Sequence, residues 1–403
     1  MNAPSSTSLA GSDTALRTAR LIALCVCTGA LTFGMLLPVL ALHVHQRLHF
    51  GPVIVGVVIG MQFVATVLTR GVAGRRADQR GARRTVLQGL LSCSLAGGLY
   101  AASVLLPLSA IAQLGLLLGG RILSGLGESQ LVTGALAWGI GTVGAPNAGR
   151  VLAWTGMALY GALAIGAPCG MLLAKSGGFG LVAGVTMALP IPALALALRL
   201  KPIAPHGGRR APLAQVLRII AWPGSALALQ GVGFAAIGTF VTLHFATCGW
   251  PDAGLALSGF GAAFVLMRVL FAGLPDKVDG YTIALAALGV ELCGQLLLWH
   301  AAGPTTALAG AAISGLGCSL VYPALGAATL RHVPPQSRGT ALGGFTAFQD
   351  VAYGATGPLA GLLVPGFGYR AAFAAGAAAA ALGIVVTILM KVRAARAMYR
   401  PRG

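Results

Sequence analysis

The chain has 403 residues, of which 57% are hydrophobic and only 9% are charged. Soluble domains carry about a quarter charged residues, so this composition excludes a soluble globular protein. The 27 Lys and Arg residues outnumber the 8 Asp and Glu residues and give a net charge of +19, but they punctuate long apolar runs, which argues against a nucleic-acid-binding protein and for a polytopic membrane protein.

Twelve segments are long and apolar enough to cross a bilayer, because a membrane-spanning helix needs about 20 consecutive apolar residues. Eleven is the alternative count, since the fourth segment runs into a Gly-rich approach to the fifth. The first segment follows two arginines and is too long for the apolar core of a cleavable signal peptide. The pattern predicts an all-α polytopic membrane protein with spans at residues 20–42, 51–73, 85–107, 110–141, 151–174, 180–200, 217–245, 254–274, 281–301, 304–330, 338–363 and 368–391.

Basic residues concentrate in alternate loops between these spans. With the N-terminus in the cytoplasm, 21 of the 27 lysines and arginines fall on the cytoplasmic side. Three fall on the opposite side and three lie within spans (Arg47, Lys175 and Arg370; Arg70, Arg121 and Arg268). This positive-inside pattern predicts a multi-pass membrane protein with both termini in the cytoplasm. It also accounts for the net charge without a nucleic-acid partner.

The second half of the chain repeats the first. Ser124–Ser129 (SGLGES) in span four matches Ser314–Ser319 (SGLGCS) in span ten at an offset of 190 residues, and the same offset carries Pro168 onto Pro358. Two parallel six-helix halves with a site between them are typical of secondary transporters. The predicted division is an N-terminal tail (1–16), a six-helix bundle (17–200), a Pro-, Gly- and Arg-rich linker (201–216), a second six-helix bundle (217–391) and a basic tail (392–403).

The loop between spans two and three carries a motif of glycines and arginines around one aspartate. It reads GRRADQRGARR from Gly74 to Arg84, with Asp78, Gly81 and Arg83 at its fixed positions. Together with spans arranged as six plus six, it resembles the first loop motif of the major facilitator superfamily, G-x-L-a-D-x-x-G-x-R-[RK], with Arg in place of the usual Leu. The resemblance covers essentially the whole chain, and stretches such as GLGES and TGALAW resemble a bacterial inner-membrane branch often labelled arabinose-efflux-like permeases. The resemblance implies a multi-pass protein of the cell inner (plasma) membrane.

The resemblance implies a conformational latch at this loop. In the superfamily, the acidic residue and the basic pair hold the two halves together in the outward-facing state. A basic loop that only fixes orientation is the alternative. The residues expected to form the latch are Gly74, Asp78, Gly81, Arg83 and Arg84, with Asp276 as a looser echo after span eight.

A second superfamily element departs from its pattern. Proton-driven antiporters of the superfamily carry Gly-Pro-x-x-Gly in span five, whereas this chain has APCG there and a closer match, GPLAG, in span eleven. The departure weakens the case for antiport. The expected helix hinges are Pro168, Gly170, Gly357 and Pro358.

Charged residues at membrane depth are costly and therefore indicate function. Glu128 lies seven residues after Arg121 in span four, so both lie on one side of the helix, about 10 Å apart along its axis. Arginine keeps its charge, whereas a carboxyl group can exchange a proton. The pair therefore suits proton coupling or contact with a polar solute, and a static bridge between helices is the alternative.

Two further acids lie at membrane depth. Glu291 is in span nine, which is usually peripheral in the superfamily, so a cavity position and packing against span eight near Arg268 stay open as alternatives. Asp350 follows Gln349 in span eleven, which borders the central cavity in related transporters. The residues predicted to serve proton coupling or substrate contact are Arg121, Glu128, Asp350, Glu291, Gln349 and Gln62.

No residue set points to a metal, a cofactor or catalysis. His43, His45 and His49 form H-x-H-x-x-x-H, but interfacial histidines are more often solvated than metal-bound. The chain has neither a G-x-x-x-x-G-K-[ST] loop nor a nucleophile–base arrangement, so we expect neither an ATPase nor an enzyme. We expect no cofactor, with the proton gradient as the energy source.

These features together predict a secondary active transporter. The leading interpretation is proton-coupled efflux (antiport) of a small organic solute by alternating access. Proton-coupled uptake by symport, or an uncoupled facilitator, is the alternative, and a non-transporting membrane sensor is the weakest of the three. The expected partners are a small-molecule substrate and membrane lipid, without nucleic acid, and we expect a monomer.

Overall fold

The computed structural model describes residues 6–144, 147–204, 213–271, 273–330, 333 and 338–398. Across these ranges the regular secondary structure is helical and no strand occurs, which confirms the predicted all-α class. The helices are α1 (Ser6–Leu42, extended by a π-helical turn, His43–Arg47), α2 (Pro52–Arg80), α3 (Ala82–Leu105), α4 (Ala110–Val143), α5 (Ala148–Ala188), α6 (Pro190–Arg199), α7 (Leu213–Thr247), α8 (Gly254–Leu270), α9 (Leu274–Lys277), α10 (Gly280–Trp299), α11 (Pro304–Leu330), α12 (Arg338–Phe367) and α13 (Arg370–Met398).

Nine helical stretches of the described chain are long and apolar enough to cross a membrane. The longest, Ala148–Arg199, has 52 residues and loses helical backbone angles at Gly177 and Gly178, between predicted spans five and six. Gly178 has φ 67°, a conformation that glycine adopts without a Cβ penalty. Helices α8 and α12, with 17 and 30 residues, lie at the eighth and eleventh predicted spans.

One compact unit comprises residues 1–36 and 65–208. Helices α3 and α4 approach backbone to backbone, since a Cβ added at Gly89 would lie 2.6 Å from Leu131 N and 2.8 Å from Gly127 O. Small residues at such positions permit close helix packing in a membrane, where apolar burial does not drive association. Apolar side chains from α1, α3, α4 and α6, including Val26, Leu90 and Trp138, form a buried core beside this contact.

The second compact unit comprises residues 37–64 and 209–403. Its helices α10 and α11 also pack through glycines: a Cβ at Gly294 would lie 2.5 Å from Ser314 Oγ. The N-terminal half of α2 belongs to this unit and lies against α12, where Cβ atoms added at Gly56 and Gly60 would meet the backbone of Gly357 and Gly354. Both of these helix contacts in the second unit are therefore lined by glycines.

Gly170 and Gly357, two of the residues predicted as hinges, lie at close helix contacts. A Cβ on Gly170 would meet the carbonyl group of Met35 in α1. In α5 the non-helical backbone angles occur at Gly177 and Gly178 rather than at Pro168 or Gly170. The hinge role of Pro168, Gly170, Gly357 and Pro358 stays a prediction, and the structure assigns Gly170 and Gly357 a packing role.

Candidate functional site

Arg121 lies inside the first unit with only 1% of its surface exposed. It hydrogen-bonds to Tyr100 of α3, and the Tyr100 hydroxyl lies 2.9 Å from Ser124 Oγ. Because a guanidinium group only donates, the Tyr100 oxygen accepts from Arg121 and its own proton is available to Ser124. The buried cation is therefore held by a hydroxyl network between α3 and α4.

Glu128 lies on the same helix, half-buried and within electrostatic reach of Arg121. Thr66 of α2 has its hydroxyl oxygen 3.5 Å from Glu128 Oε2 and 3.1 Å from Gly125 O, so its one proton can go to either acceptor. On another side, Glu128 acts electrostatically on Cys93 of α3. The first unit thus brings a cation, a carboxyl group and several hydroxyls together among α2, α3 and α4.

Glu291 of α10 is fully buried in the second unit. Its carboxyl group faces α7 and α11: a Cβ on Gly233 would lie 2.5 Å from Glu291 Oε1, and Gln230 and Cys318 approach the carboxyl. Among the described residues, neither Gln230 nor Cys318 has full hydrogen-bonding geometry with the Glu291 carboxyl oxygens. Arg268 of α8 donates to Ser319 O of α11 at 2.8 Å, and the function of Glu291 stays a prediction.

A chain of amides connects this buried region to α12. Gln349 Nε2 donates to Gln230 Oε1 at 3.2 Å, and Gln230 Nε2 lies 2.9 Å from Cys318 Sγ. Gln295, one helical turn after Glu291, donates from Nε2 to Ser314 Oγ at 3.3 Å. The second unit therefore contains two groups of hydrogen-bonded polar side chains, one from α7, α11 and α12 and one from α10 and α11.

Two other predicted site residues are buried in the second unit. Asp350 is 3% exposed and Gln62 is 2% exposed. Asp350 follows Gln349 by one residue, which turns its side chain about 100° around the helix axis from that of Gln349. The neighbouring Phe63 ring packs on Tyr353 with centroids 5.0 Å apart.

The predicted latch motif lies where α2 ends and α3 begins. Gly81 separates the helices with φ 96° and ψ 139°, a backbone conformation that favours glycine. Arg83 Nη2 donates to Leu198 O of α6 at 2.9 Å. Gly74 and Asp78 lie in the last turns of α2, and Arg84 is exposed. The side chain of Asp276 lies outside the described part of the structure, so the latch stays a prediction.

His45, the middle histidine of the H-x-H-x-x-x-H sequence, has neighbours outside that sequence. His45 Nδ1 lies 2.9 Å from Phe50 O, and its Nε2 shares a 3.3 Å hydrogen bond with the Tyr369 hydroxyl. Among the described residues no group of three His, Cys, Asp or Glu side chains could hold a metal ion.

Sequence reasoning missed Tyr100, Gln295 and Ser314. One available signal was the spacing of Glu291 and Gln295, since residues four apart share a helix face. A second was the repeated Ser-Gly-Leu-Gly segment, which places Ser124 and Ser314 at matching positions. Both serines accept or share a hydrogen bond from the preceding helix of their unit, α3 or α10.

Comparison with known proteins decides the family. A sequence profile described as Major Facilitator Superfamily matches residues 22–311 and 251–403. An uncharacterized MFS-type transporter of Salmonella typhimurium (strain LT2) is 43% identical over 360 residues, which cover 89% of this chain and 93% of the relative. Another from Burkholderia mallei (strain SAVP1) is 39% identical over 366 residues, covering 91% and 90%. The chain belongs to the Major Facilitator Superfamily.

Solved structures show that this superfamily member has the corresponding fold. The human organic anion transporter TETRAN superposes with a TM-score of 0.69 at 16% identity, covering 93% of this chain and 99% of that one. A D-xylose–proton symporter superposes with a TM-score of 0.73 at 15% identity, covering 90% and 96%. The superfamily member is therefore a multi-pass secondary transporter and not an enzyme.

Proposed function

We propose that this superfamily member is a proton-coupled efflux transporter, an antiporter that exchanges protons for a small organic solute by alternating access. The observation that carries the proposal is the buried Arg121 with Glu128 on the same helix, both surrounded by hydroxyl groups. Charges at this depth cost several kcal/mol, by order of magnitude, and are rarely kept for packing alone.

Each residue of this group has a distinct part in the proposed exchange. Arg121 keeps its positive charge and favours an anionic or polar solute. Glu128 takes up and releases the proton, because it is half-buried and next to a hydroxyl donor, Thr66. Asp350, which follows Gln349 in sequence, is the second proposed carboxyl site. Gln62 of α2 is also buried and is a further proposed contact for the solute.

The proposed orientation puts both termini in the cytoplasm of a bacterial inner membrane. It rests on the excess of Lys and Arg in alternate loops. In this orientation the Gly74–Arg84 motif lies at the cytoplasmic end of α2, where Asp78 latches the outward-facing state. The protein acts as a monomer in lipid, driven by the proton gradient and without a bound cofactor.

Proton-coupled uptake, or facilitated diffusion, is the second candidate function. The APCG sequence in α5, where antiporters of the superfamily carry Gly-Pro-x-x-Gly, favours it. One structure with the same fold is named a D-xylose–proton symporter, and another an organic anion transporter. Sugars and organic anions are accordingly the first solutes to test.

Inverted membrane vesicles with and without an imposed pH gradient test the proposal. Sugars, organic anions, amino acids and drugs are screened for gradient-driven accumulation, which is the result that efflux predicts. Glu128→Gln and Asp350→Asn should each reduce this accumulation at least tenfold. Asp252→Asn is the matched control, since Asp252 is exposed in a loop at φ 57°, a conformation that Asn also tolerates.

Two outcomes contradict the proposal. Unchanged gradient-driven transport in both the Glu128 and the Asp350 variants would remove the assigned carboxyl sites. Solute accumulation in right-side-out vesicles with an acidic exterior would show that the protein is an uptake symporter and not an efflux antiporter.

A further inference from the structure

Glycines at equivalent positions of α4 and α11 show which residues of α3 and α10 correspond to each other in the two repeats. Gly127 and Gly317 correspond in the repeated Ser-Gly-Leu-Gly segment. A Cβ on Gly127 would lie 2.9 Å from Gly89 O and 3.2 Å from Cys93 N, and one on Gly317 would lie 2.6 Å from Ala287 O and 2.5 Å from Glu291 N. Cys93 of α3 is therefore the structural counterpart of Glu291 of α10.

The residues after these glycines complete the correspondence. Glu128 follows Gly127 and Cys318 follows Gly317, so Glu128 and Cys318 are counterparts on α4 and α11. A Cβ on Gly127, the residue before Glu128, would lie 2.8 Å from Cys93 Sγ, and Glu291 lies against Cys318. Each unit thus holds one glutamate facing one cysteine across equivalent helices, with the two residue types exchanged.

The two glutamates have different surroundings. Glu128 is half-buried, with Thr66 and the cation Arg121 nearby. Glu291 is fully buried and is faced by Gln230 and Gly233 of α7 and by Cys318 of α11.

Within the described part of the second unit, no charged side chain is among the groups that approach the Glu291 carboxyl. Gly376 of α13 meets Gln295 on the same helix as Glu291, and the guanidinium of Arg268 on α8 donates to Ser319 O. Cys318 is the titratable group that faces it in the described part of the second unit. An ionised carboxylate without a facing cation is expensive to bury, whereas a neutral carboxylic acid needs only hydrogen bonds.

We propose that Glu291 and Cys318 form a second proton-binding site, the counterpart in the second unit of the Glu128–Cys93 pair. The proton binds by forming an O–H bond at a Glu291 carboxyl oxygen and leaves to water when that bond breaks. Gln230 and Gln349 supply polar groups from this carboxyl to the half-buried surface of α12. The role of this proton in transport rests on the proposed antiport, but its binding does not.

Infrared difference spectroscopy of the purified protein in lipid, recorded as pH is changed, tests the site. The wild type should show the C=O band of a protonated carboxyl that appears and disappears with pH. Glu291→Gln should lose this band, Glu128→Gln should lose a different one, and Asp252→Asn should lose neither. Retention of every pH-dependent carboxyl band in a folded Glu291→Gln variant would overturn the proposal.

Cys318 gives an independent readout. Its S–H stretching band, assigned by its loss in Cys318→Ala, should shift at the pH at which the Glu291 band changes. A Glu291 carboxyl with only a packing role would leave the S–H band constant at all pH values, which would count against the site.

An exchange variant tests the correspondence with the first unit. Glu291→Cys combined with Cys318→Glu places the carboxyl on α11, as Glu128 is placed on α4, without changing the composition of the core. The variant should regain a pH-dependent carboxyl band at a shifted frequency, and absence of that band in folded protein would contradict the correspondence. Glu291→Asp, which keeps a carboxyl on α10, should shift the band and covers the case in which Glu291→Gln does not fold.

These measurements need no substrate. A negative transport screen together with the expected bands would reject the proposed antiport and keep the proton site. Gradient-driven transport without a pH-dependent Glu291 band would keep the proposed antiport and reject the proton site.

Discussion

At the scale of single residues, the Arg121 guanidinium of the first unit depends on a neighbouring side chain that the sequence pattern did not indicate. The Tyr100 hydroxyl lies between Arg121 and Ser124 and serves both. It is fully buried, so no water replaces it when it is removed. The position of Arg121 is thus fixed from α3, although the charge is carried by α4.

Tyr100→Phe should therefore destabilise the protein and reduce transport. Removing the hydroxyl leaves Arg121 and Ser124 with one buried partner fewer, which costs about 1–3 kcal/mol. Thermal unfolding in detergent, followed by tryptophan fluorescence, measures the stability. Tyr281→Phe, at a partly buried position in α10, is the control and should leave the melting temperature unchanged. Equal melting temperatures for the Tyr100 variant and wild type would refute the hydroxyl network.

At the scale of helices, the contact between α2 and α12 leaves no room for side chains. The carbonyl group of Gly354 occupies the place of a Cβ on Gly60, and Gly357 does the same for Gly56. This contact joins predicted spans two and eleven along two helical turns. The backbones of α2 and α12 can approach this closely only because α2 has glycine at both positions 56 and 60.

Gly60→Ala should force α2 and α12 apart. Overpacking of a close contact costs about 1–3 kcal/mol, so the melting temperature should fall. Gly51→Ala is the control, because a Cβ at Gly51 meets no atom within 4 Å, and it should leave stability unchanged or slightly raised. A Gly60→Ala variant as stable as the control would show that the helices can separate without cost.

The positions of the helices along the chain were predictable from the sequence, but the side that each helix turns to its neighbours was not. The apolar lengths of the spans follow from bilayer thickness, and the break at Gly177 and Gly178 falls in a predicted connection. By contrast, α10 is apolar on every side, so no hydrophobic face indicates where Glu291 points. Its neighbours Gln230 and Cys318 come from α7 and α11, and only the packing of three helices brings them together.

At the scale of the whole molecule, superfamily membership agrees with the twelve predicted spans and with the sequence repeat between the halves of the chain. The latch, the orientation and the direction of transport stay predictions. Of these, the orientation has a simple chemical test in a native residue. Cys248 is an exposed cysteine after the end of α7.

A membrane-impermeant maleimide should label Cys248 in intact spheroplasts. With both termini in the cytoplasm, the connection after span seven lies on the outer side. Mass spectrometry locates the adduct, and Cys248→Ser should abolish it. Buried Cys318 is an internal control that should stay unmodified. Labelling of Cys248 in inverted vesicles alone would reverse the predicted orientation.

The two exchanged Glu–Cys pairs bear on how steep a solute gradient the protein can sustain. One proton moving down a difference of one pH unit releases about 1.4 kcal/mol, which balances a solute concentration ratio of about ten. If both glutamates carry a proton in each transport cycle, the same pH difference balances a ratio of about one hundred. The second pair would then convert a modest acid gradient into near-complete clearance of the solute from one side of the membrane.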